Sequence, residues 1–215
     1  MKKLIVFAAA IALSASAFAQ SPLKGLMIGA GLTVDPISYS FDRSGMDALP
    51  IAPIGFHVYA AYECQFSTVS AVSAGLRFQI ASENSYNQNS GDFSESLKNT
   101  MTFLDIPVKY VAHFGGFFIS AGPTLTFNLA WNQKQTASYA GQSETRTVKV
   151  FKEEANKDLY NKIGVGLGAE IGYDWDHIRL AAGYDRGLIP GVKKDKDAGR
   201  NYNVNNIRIS IAYLF

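Results

Sequence analysis

The sequence predicts an all-β fold: an antiparallel, up-and-down transmembrane β-barrel of about eight strands. Three observations carry this reading. Eight segments alternate large apolar residues with small or polar ones at a period of two. The connections between these segments are by turns short and long. The chain opens on an export signal and stops on an aromatic residue, Phe215.

At the N-terminus, Lys2 and Lys3 precede the apolar run Leu4 to Leu13 and the small-residue ending Ala17-Phe18-Ala19. This is the pattern of a cleaved signal peptide over residues 1–19, leaving a single domain over 20–215 that begins at Gln20. The run is about half the length a spanning helix needs. With no cysteine near the cleavage site, lipoprotein anchoring is not expected. The chain is 47% hydrophobic yet holds one cysteine, Cys64, so a disulfide-stapled secreted domain is excluded. Without Lys2 and Lys3 the mature chain carries 18 basic and 18 acidic residues, a net charge of zero. Nucleic acid is therefore not an expected partner.

The alternation runs as follows. Leu26, Ile28, Ala30 and Leu32 oppose Met27, Gly29, Gly31 and Thr33. Ile54, Phe56, Val58, Ala60 and Tyr62 oppose Gly55, His57, Tyr59, Ala61 and Glu63. Val72 to Ile80 sets Ser73, Gly75, Arg77 and Gln79 on its second face. Leu104, Ile106, Val108 and Tyr110 oppose Phe103, Asp105, Pro107 and Lys109. The fifth segment, Phe117 to Trp131, is the most regular. In the sixth, Ile163 to Tyr173 alternate with Gly164, Gly166, Gly168, Glu170 and Gly172. The seventh sets Ile178, Leu180, Ala182 and Tyr184 against Arg179, Ala181, Gly183 and Asp185. The terminal segment sets Ile207, Ile209, Ile211, Tyr213 and Phe215 against Asn206, Arg208, Ser210 and Ala212. Each is near the 9–11 residues of a tilted membrane strand. No helical period competes, although Lys152 to Tyr160 could form a short helix in a loop.

Short connections fall around Cys64–Thr68, His113–Gly116 and Asp174–His177. Long ones run Asp35–Pro50, Ser82–Thr100, Asn132–Asn161 and Leu188–Asn203. Short periplasmic turns and long extracellular loops place both termini in the periplasm.

The second face decides between a soluble and a membrane barrel. It holds mostly glycine, serine, threonine and charge, too small and polar for a dry core. The apolar face is thus assigned to outer-membrane lipid, flanked by aromatic girdles: Tyr62, Tyr110, Phe117, Tyr173, Trp175, Tyr213 and Phe215 on the periplasmic side, and Phe127, Trp131 and Tyr184 on the outer side. The polar face supplies Arg77, Lys109, Arg179 and Arg208 against Glu63, Asp105, Glu170 and Asp185. Buried charge is tolerated when paired, and a barrel of about eight strands is only wide enough for its side chains to fill. These eight residues are expected to interlock as a structural plug, with a proton or ligand path as the alternative. An open pore is not expected.

Pro107 and Pro123 each remove a ladder hydrogen bond, which predicts a bulge or a loosened ladder. Thr136–Tyr139 and Thr145–Phe151 flank Ala140-Gly141-Gln142-Ser143 and read as a hairpin above the membrane, extending strands five and six. Two further membrane strands, giving ten, are the alternative.

Leu104-Asp105-Ile106-Pro107-Val108-Lys109-Tyr110, Phe118-Ile119-Ser120-Ala121-Gly122-Pro123, the glycine-alternating Gly164 to Glu170 and the terminal Tyr213-Leu214-Phe215 together resemble the PorT-like outer-membrane β-barrel family, across essentially the whole mature chain. The resemblance implies the barrel fold and, by analogy with some members, a part in protein secretion across the outer membrane. It also implies that Phe215 is similar to the terminal signal read by the barrel-assembly machinery, a partner during insertion.

Catalysis would need a nucleophile and a base within hydrogen-bond reach. His113 and His177 fall in predicted periplasmic turns and His57 points into the lumen, so no catalytic residue is assigned. Three scattered histidines and one cysteine give no metal spacing and no cofactor site. Lys193-Lys194-Asp195-Lys196-Asp197 reads as a solvated loop tip, with calcium or lipopolysaccharide contact as its alternative. The expected function is a non-enzymatic barrel acting structurally, or on a protein partner through its extracellular loops or periplasmic face. An accessory of a secretion or envelope assembly machine is the second reading. A narrow channel or lipid-modifying enzyme is the third.

Overall fold

The computed structural model describes residues 25–35, 37–40, 53–90, 93–140, 142–152, 160–189 and 201–215. The predicted signal peptide, the Lys193–Asp197 loop tip and most of the possible helix at 152–160 lie outside the described residues.

Among the described residues ten strands form: β1 Leu26–Val34, β2 Ile37–Ser40, β3 Ile54–Gln65, β4 Ser70–Ser90, β5 Phe93–Phe114, β6 Phe117–Tyr139, β7 Gln142–Lys149, β8 Ile163–Trp175, β9 Ile178–Gly187 and β10 Asn201–Leu214. Eight of them close a ring in the order β1-β3-β4-β5-β6-β8-β9-β10, sealed by antiparallel pairing of β1 with β10 from Met27↔Leu214 to Val34↔Ile207. β2 pairs with the far end of β10 and β7 with the far end of β6, so neither enters the ring. Closure leaves no unpaired edge within the membrane, where an unsatisfied backbone group costs several kcal/mol.

The turns at one end are tight. Gly115, between β5 and β6, has φ 66°, and Asp176, between β8 and β9, has φ 54°. Two-residue hairpins favour such positive angles because their twist matches that of the flanking strands. Gly25, the first described residue, and Phe215 lie at this end, where Phe215 donates its backbone N–H to the Leu26 carbonyl (2.9 Å). This is the periplasmic end.

The two faces part sharply. Leu32 and Ile209 are each 67% exposed, whereas Glu63 and Phe118 are fully buried inside. A continuous outward aliphatic surface of this kind matches lipid as its solvent. The glycine alternation of β8 and β9 serves the interior. A Cβ on Gly183 would lie 2.6 Å from Arg208 Nη2, and one on Gly172 would lie 2.5 Å from the Phe118 ring. These glycines leave room for large side chains arriving from other strands.

The wall is uneven in height. β4, β5 and β6 run 21, 22 and 23 residues, about twice β1 or β9. The stretch Ser82–Thr100, expected as a loop, is instead the tall part of β4 and β5. The expected 136–151 hairpin forms as β6–β7, completing a four-stranded projection above the membrane.

Two bulges interrupt this wall. Ser85 is extra in β4 and Leu129 is extra in β6. Beyond Leu129 the alternation of β6 inverts, because one added residue flips every later side chain to the other face. Trp131, expected in the outer aromatic girdle, is therefore turned inward and is 6% exposed. It packs with Met101, Phe103 and Val150, and Phe151 and Tyr160 lie against the cluster. At Pro107 and Pro123 there is no bulge. The register is the same on both sides of an unpaired gap between Pro107↔Thr124 and Tyr110↔Ala121, so the ladder is loosened rather than shifted.

Candidate functional site: the charged lumen

The interior holds three polar layers. The central layer is built on Arg77. Its guanidinium donates Nε to Asp105 Oδ2 (2.9 Å) and Nη2 to Asp185 Oδ2 (2.7 Å). Arg208 also reaches Asp185 and donates Nη2 to Glu170 Oε2 (2.9 Å), which accepts Lys109 Nζ as well (3.1 Å). Thr126 Oγ1 donates to the other oxygen of Asp105 (2.6 Å). Three cations and three carboxylates thus form one network spanning β4, β5, β8, β9 and β10. Guanidinium groups suit the role because one planar fork can serve two carboxylates.

The periplasmic layer is built on Arg179. Nε and Nη2 grip Asp174 in bidentate fashion (2.6 and 2.8 Å), and Nη1 donates to Glu63 Oε2 (2.8 Å). His113 Nε2 lies 2.8 Å from the other oxygen of Glu63. The guanidinium carbon sits 4.1 Å from the Phe118 ring centre, a cation–π contact below the charge layer. Glu63 is fully buried, so its two partners are what make its charge tolerable.

The outer layer is amide-rich. Gln79 Nε2 donates to Asp35 Oδ2 (2.6 Å), and Asn206 Nδ2 donates to Asp35 Oδ1 (2.5 Å). Above it lies the Trp131 cluster on the β5–β6 side, with Trp131 Nε1 donating to Asn99 Oδ1 (3.1 Å).

Two small cavities flank the central layer. One of about 50 Å³ lies toward the periplasm, lined by His57, Tyr59, Lys109, Ser120 and Arg208 among others. One of about 60 Å³ lies toward the outside, against Asp35, Asp105, Thr124 and Asp185. Each has room for a few waters, and neither joins the two ends.

All eight charges expected on the polar face lie inside, split between the central and periplasmic layers. His113, Asp174 and Asp35 belong to this interior too, although the sequence reading left them in turns and loops. β5 runs on to Phe114 and β8 to Trp175. Carrying the alternation on from Lys109 through Val111 to His113, and from Gly172 to Asp174, would have placed both inside.

Of the residues assigned to the girdles, Tyr62, Tyr110, Phe117, Tyr173, Trp175, Tyr213 and Phe215 are exposed on the outward face near the periplasmic end, and Tyr184 is exposed near the outer end. Phe127 is half-buried there. Phe117 meets Tyr173 edge-on with ring centres 4.8 Å apart, and Tyr213 meets Phe215 the same way at 4.8 Å. His177 stacks on Tyr213 at 5.5 Å. Among the described residues no group of histidine, cysteine and carboxylate side chains has the placement of a metal site.

No curated protein matches the chain. Among solved structures it is similar to Ail, the attachment invasion locus protein of Yersinia pestis, determined in complex with the heparin analogue sucrose octasulfate (16% identity, 89% of this chain and 99% of that one, TM-score 0.47). It is similar also to Neisserial surface protein A (14%, 91% and 100%, TM-score 0.42) and to OprG from Pseudomonas aeruginosa (13%, 90% and 99%, TM-score 0.38). Residues 18–191 match the family described as "Outer membrane protein beta-barrel domain". The chain belongs to that family, and it is an integral β-barrel protein of the outer membrane.

Proposed function

We propose that this barrel is non-enzymatic, with a lumen plugged by its own charges, and that it works through contacts made by its extracellular side. The observation that carries this reading is the reach of Arg77 on β4 to Asp185 on β9, four strands away around a ring of eight. The ion pair joining opposite walls, with Asp105, Arg208, Glu170 and Lys109 linked to it, sets fixed charge contacts across the axis. A solute pathway would have to break charge contacts that are costly to break one partner at a time.

The projecting sheet supports the interaction role. β7 has one pairing partner, β6, among the described strands, and an open strand edge above the membrane is a surface on which an extended segment can add. The test is chemical cross-linking in intact cells followed by purification of the tagged protein from outer membranes. A reproducible, stoichiometric partner cross-linked to the β6–β7 hairpin supports the reading. Recovery alone, or with contacts confined to the periplasmic turns, contradicts the extracellular role.

A second reading rests on the PorT-like stretches Leu104–Tyr110 and Phe118–Pro123: an accessory of a secretion or envelope assembly machine. The same experiment separates the two. Cross-links at the periplasmic turns to machinery components favour the accessory role.

A further inference from the structure

The outward face of the projecting wall carries positive charge alone. Lys98 on β5 lies directly opposite Lys134 on β6. Lys149 on β7 pairs opposite Asn132, which places it diagonal to Lys134 on the same face. All three are exposed. Like charges set directly opposite across an antiparallel pair are destabilising, and here nothing in the sheet offsets them. Glu95 and Glu144 both pair opposite Ala137, so they share the inward face. The neighbouring stretch of β4, residues 84–90, contains no acidic residue. None of the three lysines has a carboxylate partner among the described residues.

Height narrows what supplies the missing negative charge. Leu129, 52% exposed, is the last large apolar residue on the outward face of β6. Asn132, opposite Lys149, lies three residues beyond it and Lys134 five. At about 3.3 Å per residue and a tilt near 45°, the lysines stand roughly 7 to 12 Å above the edge of the hydrocarbon. The headgroup layer is about 5–7 Å thick on each side, so the backbone at Lys149 stands at its outer margin and that at Lys134 about 5 Å beyond, from where a lysine stem of about 6 Å reaches back into it. The face is also continuous with the lipid-facing surface below it. A soluble acidic protein has no reason to be confined to this depth, whereas a lipid phosphate does.

We propose that Lys98, Lys134 and Lys149 form a docking surface for the phosphates of the outer-leaflet glycolipid, of the lipid A type. Ammonium groups on flexible stems act as point charges toward phosphate, and the threonine hydroxyls beside them on the same face, Thr136 and Thr147, add donors. The surface is independent of whether the open edge of β7 binds a protein.

Native mass spectrometry of the full-length barrel in detergent, mixed with bisphosphorylated lipid A or with lipid A stripped of phosphate, tests this. The phosphorylated form should be retained about tenfold more strongly, a difference of about 1.4 kcal/mol. The K98Q/K134Q/K149Q variant should lose that preference while still shifting its gel mobility on boiling. Equal retention of the two lipids, or undiminished preference in the variant, overturns the proposal. So does a variant that loses binding of polyglutamate while keeping lipid A, which would assign the face to an acidic protein. Should the triple variant fail to fold, Lys134→Gln alone is decisive through its sign. It should raise thermal stability in lipid-free detergent, where it relieves repulsion, and lower the stabilisation gained on adding lipid A.

Discussion

Arg77 and Asp185 meet across the full width of the barrel, Nη2 to Oδ2 at 2.7 Å, from strands on opposite walls. Both side chains are nearly inaccessible, 5% and 9% exposed. On the proposed reading this contact belongs to a salt-bridged core, and the first prediction follows from it. Arg77→Met should cost about 3–5 kcal/mol, because Asp105 and Asp185 stay buried with one cationic partner fewer. Arg77→Met combined with Asp105→Leu should be milder than the sum of the two single changes by about 1 kcal/mol or more. Urea titration of the detergent-folded barrel measures both. Strict additivity would mean the two groups do not interact.

Space inside the barrel depends on glycine. Gly183→Val would set a Cβ against the Arg208 guanidinium and displace it from both Asp185 and Glu170. We expect a loss of about 1–3 kcal/mol, as for other overpacked interiors. Gly164→Ala is the control. Its nearest neighbour would be Thr126 Cβ at 3.7 Å, so it should change stability by less than about 0.5 kcal/mol. The two midpoints, compared under one condition, check the claim.

The two tryptophans should report opposite environments. Trp175 is 75% exposed on the lipid side, whereas Trp131 is turned inward by the Leu129 bulge. With Trp131→Phe the remaining fluorescence should be quenched by brominated lipid. With Trp175→Phe it should be largely protected. Deleting Leu129 in the Trp175→Phe background should leave Trp131 opposite Met101 and still protected, since Asn128, Ala130 and Trp131 then alternate without the extra residue.

Phe215 contributes little to the folded barrel, being 65% exposed with one edge-on contact to Tyr213. Phe215→Ala should leave the unfolding midpoint within about 0.5 kcal/mol of the parent. Its effect should fall on insertion, seen as a lower yield of heat-modifiable protein in outer membranes. A large loss of stability in purified protein would move Phe215 from an assembly signal to a structural residue.

The sequence announced the ring but not its height. Within the membrane one face meets lipid and the other meets the plug, so alternation is strong and all eight strands could be read from it. Above the membrane β4, β5 and β6 carry mostly polar residues at odd and even positions alike. There the period-two contrast vanishes, and Ser82–Thr100 resembles a loop. The Leu129 bulge was invisible for a related reason, since one inserted residue leaves the composition unchanged while inverting every later side chain. Alternation placed Arg77, Asp105 and Asp185 on the inward face. It could not say that Arg77 would reach Asp185, because strand parity fixes a face and not a partner across the barrel. Asp174 and His113 were missed because the predicted strands stopped one and three residues short of them.

The measurement that bears most directly on the plugged lumen is single-channel recording of the purified, refolded barrel in a planar bilayer. A lumen crossed by the Arg77–Asp185 and Arg179–Glu63 pairs predicts no stable conductance steps for the native chain, and steps that emerge when Arg77 and Arg179 are both replaced by alanine. Steady, ohmic steps from the native barrel would contradict it, because ions cannot pass a lumen whose opposite walls are joined.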